Sequence, residues 1–228
     1  MRWLVITLST LLISATPVHG AEPIGDFSYR YELIRNGKVV GNNRLQFKAL
    51  PNGVWQFTSK ASGTEGLASL AGAGVDERST LIAPRGQLEL FSNRMETTLA
   101  WKNEVKSTNF DKASNTYIYR DHKATRKVAY QPGVIDRHTL TVALMSDLRS
   151  GKNKAFSYPT LNKGKLDTFR FKLMGEEVLD TALGKLKTVR LERIRDSADG
   201  KSTRIWFAKE RNYAPVMIQE LDSKGDDI

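Results

Sequence analysis

The chain has no cysteine among its 228 residues. A disulfide framework and thiol chemistry are therefore excluded, and stability must come from a hydrophobic core. It also lacks any run of about 20 apolar residues, the length a helix needs to cross a bilayer. The apolar stretch from Trp3 to Ala15 is shorter than that. It follows Arg2 and ends in the small residues around Val18-His19-Gly20, the pattern of a cleavable export signal. We read residues 1–20 as that signal, cleaved after Gly20, and expect a periplasmic protein, soluble and without a transmembrane segment once the signal is gone. No cysteine follows the apolar run, so a lipid-modified N-terminus is not expected. Residues 21–228 contain no Pro/Ser/Gly-rich linker, fixed-period repeat or low-complexity tract, which predicts one β-rich domain.

The usual carriers of chemistry are also scarce. Beyond the signal only His122 and His138 remain, without the spacing of metal ligands. There is no Gly-x-Ser-x-Gly elbow for a hydrolase nucleophile. The glycines at 72 and 74 form neither a dinucleotide fingerprint nor a phosphate loop. Carboxylates occur as neighbours at Asp76-Glu77, Glu176-Glu177 and Asp226-Asp227, but adjacent residues on a strand point to opposite faces and cannot share a site. An acid pair assembled from distant strands stays open. The expectation is a protein with no catalytic residues, no metal and no cofactor, and not an enzyme.

Charge narrows the partners. The formal net charge is +10, and without residues 1–20 there remain 34 basic against 25 acidic residues, +9. A positive balance speeds encounter with anionic surfaces and says nothing of fold. Nucleic acid is not an expected partner outside the cytoplasm. Anionic lipid headgroups, lipopolysaccharide phosphates or an acidic envelope protein are. The lysines and arginines are scattered rather than blocked, so simple basicity is the competing explanation.

What the chain does have is period-two alternation. Phe27, Tyr29, Tyr31 and Leu33 alternate with polar residues and fall on one strand face. Asn36-Gly37 turns the chain, Leu45 and Phe47 share a face of the return strand, and Pro51-Asn52-Gly53 precedes a third strand through Trp55 and Phe57. Strands are expected again at 75–82, 88–91, 97–110, 115–120 and 125–130. The run from Glu176 to Asp222 reads as a meander, with breaks at Gly184 and Asp199-Gly200, and with Pro215 opening its last strand. Turn signals about ten residues apart suit an antiparallel barrel or sandwich. One segment is helical: Asp136 as N-cap, Leu140, Leu144 and Leu148 at four-residue intervals, and Gly151 as stop. A second, shorter helix, interrupted by glycines, is expected at 63–74 as a lid over one mouth of the sheet.

The order Trp101, Val105, Phe110-Asp111, then Gly133-Val134-Ile135-Asp136 opening a helix that ends at Gly151, resembles the exported bacterial family catalogued as domain of unknown function 3108. The continuation is similar too: Gly184-x-x-x-Thr188, Arg193, Trp206-Phe207-Ala208 and Tyr213-x-Pro215-Val216-x-Ile218. The resemblance runs from about Phe27 to Asp222. It implies a mainly β fold, an antiparallel open or half barrel with one main helix, similar in outline to lipoprotein-localisation carriers. It brings no activity and no catalytic residues.

Aromatics spread over many strands are chiefly core, yet 202–208 carries bulk on both faces, Ile205 and Phe207 on one and Trp206 on the other. Two apolar faces suggest that one lines an interior. The expected wall of a ligand site is Phe27, Tyr31, Phe47, Phe57 and Trp206, with Leu67 and Leu70 on the lid. Two readings stand: a periplasmic binding protein that carries or senses a lipophilic or anionic amphiphilic ligand, and a non-enzymatic structural or regulatory envelope protein with a solid core.

Overall fold

The computed structural model describes residues 24–64, 72–99, 102–194 and 202–221. The signal at 1–20, the lid leucines Leu67 and Leu70, Trp101 and the Asp199-Gly200 turn lie outside the described residues.

Alternating sequence gives strands, and short turns join them in order. Sheet 1 is an eight-stranded antiparallel meander, curled into a half barrel. Its strands are β1 Phe27–Arg35, β2 Lys38–Leu50, β3 Val54–Gly63, β4 Gly74–Ile82, β5 Glu89–Leu99, β6 Lys102–Asp111, β7 Thr116–Arg120 and β8 Thr125–Ala129. Sheet 2 has the order β14-β13-β12-β11-β10-β9: β9 Ile135–Asp136, β10 Phe156–Asn162, β11 Lys165–Thr181, β12 Gly184–Arg193, β13 Ser202–Ala208 and β14 Ala214–Leu221. Asn36 and Gly37 both take positive φ, 50° and 72°, as the primed turn between β1 and β2 requires.

Three expectations are corrected. The 97–110 segment is two strands, not one, since Leu99 pairs with Lys102 across a tight reversal. The helix α1 is Leu140–Arg149, with Thr139 at the N-cap, so it starts four residues after Asp136. Asp136 instead belongs to β9, which pairs parallel with β10, and its carboxylate accepts from Thr139 N at 2.7 Å. The side chain therefore caps the turn that precedes the helix. Pro215 occupies the second position of β14, not the first.

The helix sits between the sheets. Leu140, Leu144 and Leu148 are buried as their spacing predicts, but so are Val142, Ala143 and Met145. A helix buried on more than one side has left the surface. One apolar cluster joins these residues to Phe47, Phe57, Leu81, Leu90 and Tyr117 of sheet 1 and to Phe156, Phe171, Leu191, Ile205 and Phe207 of sheet 2. Tyr158 Oη donates to Asp147 Oδ2 at 2.6 Å, tying the helix end to β10. Tyr31 Oη donates to Pro215 O at 2.6 Å and joins the edge strands of the two sheets.

Burial pushes up the phenol pKa of Tyr29, Tyr31, Tyr117 and Tyr158, and that of Tyr119 up to about 12. Because the folded values exceed the ordinary one, these groups add stability that is full below pH 10 and lost as pH rises toward 12 and beyond. We expect an alkaline titration followed by tyrosinate absorbance to show few of the seven tyrosines ionising near pH 10. The rest should ionise together with unfolding. Normal titration of all seven would contradict this packing.

Candidate functional site

Strand alternation decides which side chains face the interior. The register aligns Phe47, Phe57, Ser79, Asn93, Thr108 and Tyr119 across six strands. One step nearer the β1–β2 turn it aligns Leu45, Ser59, Glu77, Met95 and Lys106. The first row is largely apolar at its β2 end, and the second is largely polar. Between them and sheet 2 lies a cavity of about 390 Å³, in the range of small-molecule sites. Its opposite wall is built from Phe169, Phe171, Arg193, Ile205 and Ile218, and the segment leading into α1 contributes Asp136, His138, Leu140 and Thr141. The residues that continue toward the other end of sheet 1, such as Leu81 and Leu90, are closed into the core.

A hydrogen-bonded chain runs along the polar wall. Ser79 Oγ donates to Asp136 Oδ2 at 2.5 Å, and Asn93 Nδ2 donates to Ser79 Oγ at 3.0 Å and to Glu77 Oε1 at 2.9 Å. Thr139 Oγ1 donates to the second oxygen of Asp136. Glu77 Oε2 faces His138 Nδ1 at 3.8 Å. The His138 ring stacks on Phe57 with centroids 4.3 Å apart, while its buried Nε2 has no hydrogen-bond partner among the described residues. Ser59 Oγ donates to Asn43 Oδ1 at 2.9 Å. Charges are interleaved with these groups: Lys106 lies 3.4 Å from Glu104, Arg137 pairs with Glu220, and the Arg193 guanidinium stands 3.6 Å over the Phe169 ring. At the β7 side, Tyr119 Oη donates to Asp121 Oδ2 at 2.9 Å. The Lys123 backbone N–H and that hydroxyl hold the Asp121 carboxyl down to about 2.

The arrangement offers an aromatic floor with polar groups on one wall. Among the described residues no group of three or more His, Cys, Asp or Glu side chains is placed to hold a metal ion. No helix among them is long and apolar enough to cross a membrane.

Comparison with known proteins fits this geometry. A family model described as a protein of unknown function (DUF3108) matches residues 28–227. The chain belongs to that family. Among curated proteins none matches it. In fold, this DUF3108 protein is similar to a crystal structure of a β-barrel-like protein of domain of unknown function DUF1849 from Brucella abortus. The TM-score is 0.54 at 9% identity, over 90% of this chain and 97% of the other. At that identity the likeness concerns fold alone.

The residues singled out from sequence are dispersed in the DUF3108 fold. Phe57 lines the cavity. Phe47 is fully buried, and Phe27 packs against it with centroids 5.6 Å apart. Tyr31 serves the seam between the sheets. Trp206 points to the opposite side of β13 from Ile205, where its Nε1 donates to Glu177 Oε1 at 2.8 Å and Arg190 lies over its ring. The polar wall of Asn43, Ser59, Glu77, Asn93 and Lys106 was not anticipated. Its signal was present, since these positions keep the same period-two phase as Phe47 and Phe57, but polar residues in that phase look like solvent-facing ones until a second sheet covers them.

Proposed function

We propose that this chain is an exported, non-enzymatic binding protein that holds an amphiphilic ligand in the cavity between the two sheets. The observation that carries this reading is the mixed lining, in which Phe57, Phe169, Phe171 and Ile205 share one cavity with Ser59, Glu77, Asn93 and Lys106. A ligand with one apolar and one polar end matches such a lining. Each buried methylene adds about 0.8 kcal/mol, so even a short tail supplies useful affinity. Lys106, Arg137, Lys163 and Arg193 outnumber Glu77, Asp136 and Glu220 in the lining, which favours an anionic head. The leader at residues 1–20 and the basic balance of the remaining chain agree with a site in the cell envelope, where anionic amphiphiles are abundant.

Displacement of a fluorescent fatty acid tests the reading. Wild type should bind the probe saturably, and Met95→Trp, which puts an indole into the space beside Glu77, should weaken binding about tenfold or more. Absence of binding by wild type would move the case to the structural envelope protein. Fractionation tests the location: a product that begins at Met1 and stays in the cytoplasm would overturn the export proposal.

A further inference from the structure

The cavity occupies the half of sheet 1 nearest the β1–β2, β5–β6 and β7–β8 reversals, and among the described residues of this sheet that end carries most of the exposed large aliphatic side chains. Ile34 is 60% exposed and Leu99 is 42% exposed, each at or beside the tip of its hairpin. Val105, also exposed, lies close to the same end. At the opposite end of the sheet only Leu50 among the described large aliphatics is exposed. The tips also carry exposed basic side chains, while the nearby acids Asp121 and Glu104 are engaged locally by the Lys123 and Ala124 N–H groups and by Lys106 and His122. Arg35 and Lys38 flank the first turn and are exposed, with no acidic residue between Leu33 and Gly41. Lys102, cross-strand partner of Leu99, is exposed. Lys123 and Arg126 are exposed at the β7–β8 reversal.

This pattern separates two kinds of partner. A protein-docking patch is contiguous, enriched in aromatics and poor in lysine at its centre. Here single aliphatic side chains stand on separate tips, four strand spacings or roughly 19 Å apart along the sheet, with a cation beside each. A bilayer surface accepts such a set, because each apolar tip enters the headgroup boundary independently while the cations meet lipid phosphates.

We propose that the hairpin end of sheet 1 docks on anionic lipid bilayers through Ile34 and Leu99, with Arg35, Lys38 and Lys102 as its phosphate contacts. The inference goes beyond the cavity reading and uses it only for purpose, since docking brings the cavity-bearing end of sheet 1 toward the surface that supplies the ligand. Vesicle flotation tests it. The purified chain should float with phosphatidylcholine vesicles that contain phosphatidylglycerol and not with phosphatidylcholine alone, and added salt should reduce the fraction bound. An Ile34→Asp, Leu99→Asp double variant should lose at least about tenfold in vesicle affinity. Leu50→Asp, at the far end, should bind as wild type. All three side chains are exposed, so unchanged thermal unfolding midpoints verify the fold of each variant. Equal flotation of wild type and the double variant overturns the proposal, as does a loss shared by Leu50→Asp. Failure of wild type to float overturns it as well and assigns the rim to a protein partner. Fatty-acid displacement in vesicle-free buffer reads the cavity alone, so failure of docking and failure of the cavity reading are separate results.

Discussion

Leu144→Asp should destabilise the protein by several kcal/mol. Leu144 is fully buried at the centre of α1, and the helix is enclosed by sheet 1 on one side and sheet 2 on the other. A carboxylate there would sit within the apolar cluster, so it must either lose its hydration or take up a proton. Either route costs several kcal/mol. Proteins of this kind are stable by only about 5–15 kcal/mol. Leu144→Ala, which removes only packing, should cost about 2–5 kcal/mol and keep a cooperative transition. Urea unfolding followed by circular dichroism distinguishes the two. A Leu144→Asp protein that unfolds at the wild-type urea concentration would mean that α1 lies outside the core.

Asp136→Ala should be the most damaging polar substitution. Its carboxylate accepts from Ser79 Oγ, Thr139 N and Thr139 Oγ1, and all three residues are buried. Removal of the acceptor leaves Ser79 Oγ and Thr139 N without this partner, and leaves Thr139 Oγ1 only the Asp136 carbonyl oxygen at 3.3 Å. Each such loss costs roughly 1–3 kcal/mol, with relaxation reducing the sum to about 3–4 kcal/mol. Asp136→Asn keeps one acceptor oxygen and should lose about half as much. The comparison is made by chemical denaturation of both variants. Equal stability of Asp136→Ala and wild type would show that this network does not hold the entry to the helix.

Much of the fold was legible because it is local. Tyr29, Tyr31, Phe47 and Phe57 alternate with polar neighbours, Asn36-Gly37 permits the positive φ of a tight turn, and Leu140, Leu144 and Leu148 recur at helical spacing. Period, turn chemistry and spacing are short-range properties, so strand and helix identities follow from them. Boundaries were less secure where a side chain did long-range work. Asp136 has the composition of an N-cap, yet pairing of β9 with β10 holds its backbone extended, and its carboxylate serves the turn instead. The 97–110 run reads as one strand because its reversal carries no glycine or proline.

The site was the least legible part. Sequence by itself determined a cysteine-free, basic, antiparallel β chain with one buried helix and aromatics on alternating positions. Only the tertiary structure decided that Phe57 faces a cavity while Phe47 closes the core and Trp206 serves the other side of β13. It also decided that Glu77, neighbour to a surface ion pair between Asp76 and Lys60, points inward to Asn93. The physical reason is that alternation distinguishes two faces of a strand without saying what covers either one. What covers them is fixed by the curl of sheet 1 and by sheet 2 packed across α1, contacts between residues far apart in the chain.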